Sequence, residues 1–165
     1  MNSSPADYLE GATQAGQVWA RVTGRGTFKL APTLKAFVLS AIQRGYRRVL
    51  VDLEDCTALD STFMGVLAGL ALHLRPLHGA VQIVRVSAQQ RETLTTLGLH
   101  TLLDIPTGEA PSTPTLHRLE ATPDLANSAA SILAAHEHLI AAAPDNRPRF
   151  HELVTQLKDE IQHPR

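Results

Sequence analysis

The sequence predicts an α/β fold: a mostly parallel or mixed sheet of about four strands covered by helices, with a C-terminal helical hairpin added. Three observations carry this. Short strand-like runs recur at Gln17–Val22, Val49–Leu53 and Val81–Val86. Helical apolar stripes separate them. Past Ile105 a proline-bearing stretch gives way to two more amphipathic segments. Strand and helix in alternation mean parallel neighbours joined by right-handed crossovers.

In chain order, Val18, Ala20 and Val22 alternate with Gln17, Trp19 and Arg21, a period of two that predicts a strand. Leu34, Phe37, Val38, Ala41 and Ile42 make one stripe of a helix over Pro32–Gly45, with proline in the first turn and glycine just past the end. The run Val49–Leu53 reads as a buried central strand. Asp55–Asp60 is expected to be a connection. A helix then starts near Ser61 or Thr62 and stops before Pro76. It is apolar nearly all round, so it is either deeply buried or offers an apolar face to a partner. After the strand Val81–Val86, Ser87 and Gln90 form a capping-box pattern for a third helix ending at Gly98, with Leu99 placed for the apolar contact of a Schellman motif. Leu102–Ile105 is expected as a last short strand, stopped by Pro106.

These signals divide the chain into an N-terminal segment (1–14), an α/β domain (15–106), a linker (107–123) and a C-terminal helical extension (124–163). The linker is read as exposed from its prolines. In the extension Asp124 is placed to cap a helix carrying Leu125, Ala129, Ile132, Leu133, Leu139 and Ile140. The second helix carries Phe150, Leu153, Val154, Leu157 and Ile161. Each stripe has to be buried, either by folding back on the domain or in a homodimer or partner interface.

Composition narrows the function. The 165 residues are 44% hydrophobic, enough for a core, but only 4% aromatic, so that core is built from aliphatic side chains. A formal net charge of −1 without basic runs lacks the footprint of a nucleic-acid binder. With one cysteine, Cys56, no internal disulfide can form. The first residues lack the basic and apolar regions of a signal peptide, and no apolar run reaches the ~20 residues of a membrane span. A cytoplasmic protein is expected.

The most informative stretch is Arg47–Leu74, RRVLVDLEDCTALDSTFMGVLAGLALHL. A buried strand ends in Val51-Asp52-Leu53, an acidic connection follows, and Asp60-Ser61-Thr62 opens an apolar helix with Gly65 near its start. This resembles the signature of STAS domains, the fold of the bacterial anti-sigma factor antagonists, over roughly residues 15–106. The resemblance implies a regulatory protein-interaction domain that binds an anti-sigma factor or a related serine kinase-like regulatory protein. It also implies phosphorylation of the serine after aspartate, here Ser61, with Thr62 a lesser acceptor. Asp60, Ser61, Thr62, Phe63, Met64 and Gly65 would form the partner-binding face. Phe63 stands where the pattern has its first glycine, and is expected to add an apolar group to that face. A helix N-terminus tolerates a phosphate, and the roughly −1.5 to −2 charges it adds would repel a packed partner. The plainer reading of the triplet is a helix N-cap worth about 1 kcal/mol.

No catalytic, metal or cofactor site is expected. The eight histidines show no zinc spacing; His136 and His138, two apart on a helix, are read as solvent-facing. Asp52, Glu54, Asp55 and Asp60 are read as a polar loop with capping duty. Because ligands often bind at the carboxyl ends of strands, a ligand-sensing STAS module for a nucleotide, lipid or small anion is the alternative function.

Overall fold

A computed structural model describes residues 6–120 and 129–164. Among these residues six strands run β1 Tyr8–Gln14, β2 Gln17–Gly26, β3 Arg48–Asp52, β4 Cys56–Leu59, β5 Ala80–Val84 and β6 His117–Arg118. Among the same residues five α-helices run α1 Ala31–Gln43, α2 Ser61–Leu74, α3 Ala88–Thr96, α4 Ala129–Ala142 and α5 Asn146–Gln162. The sheet order is β5-β3-β2-β1-β6, with β4 also pairing to β2. Strands β2, β3 and β5 are parallel, while β1 and β6 run antiparallel to their neighbours. The expected mixed α/β architecture is therefore present.

The period of two sorts each strand's residues between two faces. Val18, Ala20, Val22, Val49, Val51, Val81 and Ile83 join the core that includes Leu34, Val38, Leu67 and Leu74 of α1 and α2. Burying each of the larger aliphatic side chains contributes about 1.5–3 kcal/mol. Trp19, Leu50 and Val84 make a second cluster on the opposite face.

Several expectations need correction. The sheet begins before residue 15, because Tyr8–Gln14 pairs with β2 along its whole length. Gly11 takes a buried position in step with Leu9 but has no apolar side chain to show it, and the hairpin turn is Ala15-Gly16, both at positive φ, without the asparagine or aspartate that usually signals such a turn. The connection Asp55–Asp60 contains β4, which extends the β3 side of the sheet by pairing with Gly24–Gly26 at the end of β2. The strand expected at Leu102–Ile105 shrinks to one bridge, Gln82 to Asp104, because a 3-10 turn at Leu99–Thr101 and Pro106 leave it no length. The local signals at α3 hold: Ser87 and Gln90 form the full capping box, and Leu99 is buried.

The segment after Pro106 does not hang free. Ala110 and Leu116 pack on Trp19, Leu50 and Val84, and β6 extends the sheet beside β1. The polar anchor is Asp52, fully buried, whose Oδ2 accepts from Arg21 at 3.0 Å and Arg85 at 2.9 Å. Those guanidiniums then donate to Thr113 Oγ1 (3.5 Å) and the Pro111 carbonyl (3.0 Å). Asp52 is thus a structural hub that ties the segment after Pro106 to the sheet.

The C-terminal helices fold back as a hairpin. α4 lies on α2, and α5 lies on α4. The cap expected at Asp124 and the stripe position Leu125 fall outside the described residues. Buried Asn146 ties the hairpin to the domain, its Nδ2 donating to the carbonyls of Leu97 (2.8 Å) and Leu139 (2.7 Å).

Removing the carboxylate of Asp52 leaves two guanidiniums, each about one-quarter exposed, without their shared acceptor. We expect Asp52→Ala to lower stability by about 2–3 kcal/mol, below the usual cost of breaking a fully buried pair because solvent reaches both arginines. Urea unfolding followed by Trp19 fluorescence measures this; an unchanged midpoint would contradict the hub.

Candidate functional site

The site grows from the N-terminus of α2. β4 delivers the chain there: the backbone N–H of Asp60 donates to the Gly26 carbonyl (2.9 Å), continuing the pairing with β2. Asp60 sits in extended conformation as the N-cap. Its Oδ1 accepts from the Phe63 N–H at 2.8 Å and its Oδ2 from the Phe28 N–H at 2.7 Å. One carboxylate therefore caps α2 and also holds the loop between β2 and α1.

Ser61 and Thr62 follow in the first turn, both half-buried. Thr62 lines a groove of about 690 Å³ between α1, α2 and α4, whose walls include Phe28, Lys35, Val66, Ile132 and His138. Phe63 corrects the expectation of an added surface group. It is fully buried, and Met64 is 4% exposed. The helix turns Phe63 into the core, which sequence spacing could not decide in a helix apolar nearly all round.

Gly65 is where α4 comes closest. A Cβ there would run into the Ala135 backbone, and one on Gly69 would stand 2.6 Å from the His138 ring. Glycine is required at Gly65 for this approach of helix to helix. The six residues expected at the site are thus contiguous but serve different ends. Asp60 caps, Ser61 and Thr62 face the α4 side, Phe63 and Met64 fill space, and Gly65 admits α4.

Sequence reasoning missed His136. It is 1% exposed, not solvent-facing. Its Nδ1 lies 2.8 Å from the Ile132 carbonyl oxygen, which can only accept, so Nδ1 carries the proton. In the neutral ring Nε2 is then an acceptor, and the Ser61 hydroxyl, 2.9 Å away, donates to it. Phe150 of α5 packs edge-on against the ring at 5.0 Å. The signal was in the sequence: His136 falls in step with Ile132 and Leu139, at i+4 and i+7 of one apolar stripe. His138, half-buried in the groove, has its pKa lowered by burial and by the charge of Lys35. Cys56 is buried and donates to the Ala58 carbonyl; burial raises its thiol pKa.

Of the four acidic residues near β3, Asp52 and Glu54 share Arg85, whose guanidinium lies 2.9 Å from Asp52 and 3.7 Å from Glu54. Asp52 is held by two arginines and Asp60 by two backbone donors. Among the described residues, no group of three or more histidine, cysteine or acidic side chains could hold a metal ion. No helix of the described residues is long and apolar enough to cross a membrane.

Comparison with known proteins agrees with this geometry. The family model "Mlab, STAS domain" matches residues 12–104, more than half of the chain. The chain belongs to the STAS domain family. Its fold is similar to that of the anti-sigma factor antagonist SpoIIAA in its unphosphorylated form (18% identity, TM-score 0.52, covering 63% of this chain and 90% of that one). SpoIIAA of Bacillus in the phosphorylated form is also similar (21% identity, TM-score 0.50, 62% and 92% covered). So is a candidate anti-sigma factor antagonist from Thermotoga maritima (17% identity, TM-score 0.54, 59% and 84% covered). Among curated proteins none matches.

Two substitutions separate the roles of neighbouring residues. Asp60→Ala strips an acceptor from two backbone donors, and we expect a loss of about 1–2 kcal/mol. Phe63→Ala opens a core cavity and should cost about 3–5 kcal/mol. Chemical denaturation checks both; a near-neutral Phe63→Ala would return that side chain to the surface.

Proposed function

We propose that this STAS domain is a non-catalytic regulatory switch. The face around the N-terminus of α2 docks a regulatory protein of the anti-sigma factor or serine kinase-like type, and phosphorylation of Ser61 breaks the contact. The observation that carries this is the position of Ser61. It stands at the first helical residue after an aspartate N-cap, half-buried, in a fold similar to an anti-sigma factor antagonist solved in unphosphorylated and phosphorylated forms. Thr62, one residue on, is the secondary acceptor.

The physics supports a switch of this kind. The first turn of a helix leaves backbone N–H groups unpaired and carries partial positive charge, so the end of α2 itself favours a phosphate. A partner packed on the same turn would have to desolvate roughly −1.5 to −2 charges beside the Asp60 carboxylate. Sign and position of charge suffice, without rearrangement of the sheet.

A second reading rests on the groove between α1, α2 and α4. Its apolar walls end near Lys35 and His138, whose pKa is lowered first by burial and then by the Lys35 charge, and a small amphipathic anion suits that combination. A ligand that binds only the folded state raises its melting temperature. A panel of nucleotides, fatty acids and inorganic anions that gives no shift would remove this reading.

For the switch, intact mass and peptide mapping of protein from its own cells, with and without phosphatase, should show one phosphoryl group on Ser61. Ser61→Asp should weaken capture of the native partner by about tenfold or more, as expected for a desolvated charge, while Ser61→Ala keeps or strengthens it. Equal capture by both variants would overturn the proposal.

A further inference from the structure

We infer that the α4–α5 hairpin is an internal competitor for the docking face: it occupies α2 where a partner would, and the Ser61–His136 hydrogen bond latches it. The inference rests on the reading of that face as the docking surface and adds its regulation. A partner, or the enzyme that modifies Ser61, has to displace α4 first. The partner element that fits is a helix presenting a small side chain to Gly65 and a flat ring to Gly69, as α4 does with Ala135 and His138.

Three observations converge. First, α4 covers the stretch that opens at Ser61. The close approach at Gly65 and Gly69 leaves no room for a second helix on that line. Second, the hydroxyl expected to take a phosphoryl group is already committed. Ser61 donates to His136 Nε2, and His136 is 1% exposed between α2 and Phe150. A phosphoryl group there removes the donor and needs space that the imidazole fills. Third, the hairpin is an appendage on a complete fold. The family match ends at residue 104, before α4 begins. Of α4 only Ala135, His136 and Leu139 are buried, and of α5 only Asn146, Val154 and Leu157; of these Leu139 alone joins the main core, so the hairpin is held to the domain by few buried side chains.

The latch also explains a buried polar pair in an apolar seam. Such a pair adds little net stability when satisfied, but loss of either member leaves the other unpaired. That makes the closed state sensitive to one atom, Ser61 Oγ. Apparent partner affinity is then the intrinsic affinity reduced by the fraction of open molecules.

The test uses the full chain and needs no outside partner. Hydrogen exchange should show α4 amides opening at least about tenfold faster than those of β3, as a locally opening unit does. Ala135→Glu, which forces a carboxylate against Gly65, should speed α4 further without speeding β3. A fluorescent peptide of residues 129–162 is the probe for the vacated face. It should bind Ala135→Glu about tenfold or more tighter than the unaltered chain, and adding Gly65→Val should abolish that binding. Ser61→Ala and His136→Ala should each speed α4 exchange, and together no more than either alone. Exchange of α4 and β3 in a single global event, or equal peptide binding by both chains, overturns the inference. If Ala135→Glu fails to fold, Asn146→Ala has to produce the same selective loosening, or the hairpin is part of the core. None of these readouts depends on phosphorylation. Absence of a modified Ser61 in cells would sink the switch and leave the hairpin result standing, and the reverse holds equally.

Discussion

Helix α2 has no polar side to turn toward water. Leu67, Leu70 and Leu74 belong to the core, while Gly65 and Gly69 meet α4. A helix of that composition is covered on both sides here, by the sheet on one and by the C-terminal hairpin on the other. Much of the architecture follows from this. The cap at Asp60 has to set the entry of α2 accurately, since the helix is wedged on both sides. The same carboxylate reaches Phe28, so the position of α2 and the path into α1 are set together.

The polar groups that survive inside the molecule divide by purpose. Asp52 gathers two arginines and through them fastens the proline-bearing segment over Trp19 and Leu50. Asn146 fastens the hairpin turn to the end of α3. Ser61 and His136 make a third such tie, from α2 to α4. Two of these ties hold segments in place; the third is the one that the proposed switch would break.

What the sequence made legible was local. The capping box at Ser87 and Gln90, the start of α2 and the alternation of β2 each depend on residues within a few positions of one another. The parts that escaped depend on distant pairing. β4 is four residues without a clear alternation, and it is a strand only because the end of β2 lies beside it. β1 hides behind Gly11 and an Ala-Gly turn. Phe63 was legible as apolar but not as inward-facing, because every face of α2 is apolar. At the candidate site, the Asp60-Ser61-Thr62 triplet was legible as a helix cap and Ser61 was singled out by the resemblance, whereas His136 meets Ser61 across 75 residues, and no short-range pattern encodes that meeting.

The chain order of the hairpin has a consequence in time. α2 ends at Leu74 and α4 begins at Ala129. During synthesis, at about 5–20 residues per second, several seconds separate the two. Throughout that interval the glycine-lined face of α2 exists without its cover. A nascent chain is therefore in a state that the finished protein regains only by opening. Any binder waiting at the ribosome meets the face before its rival has been made.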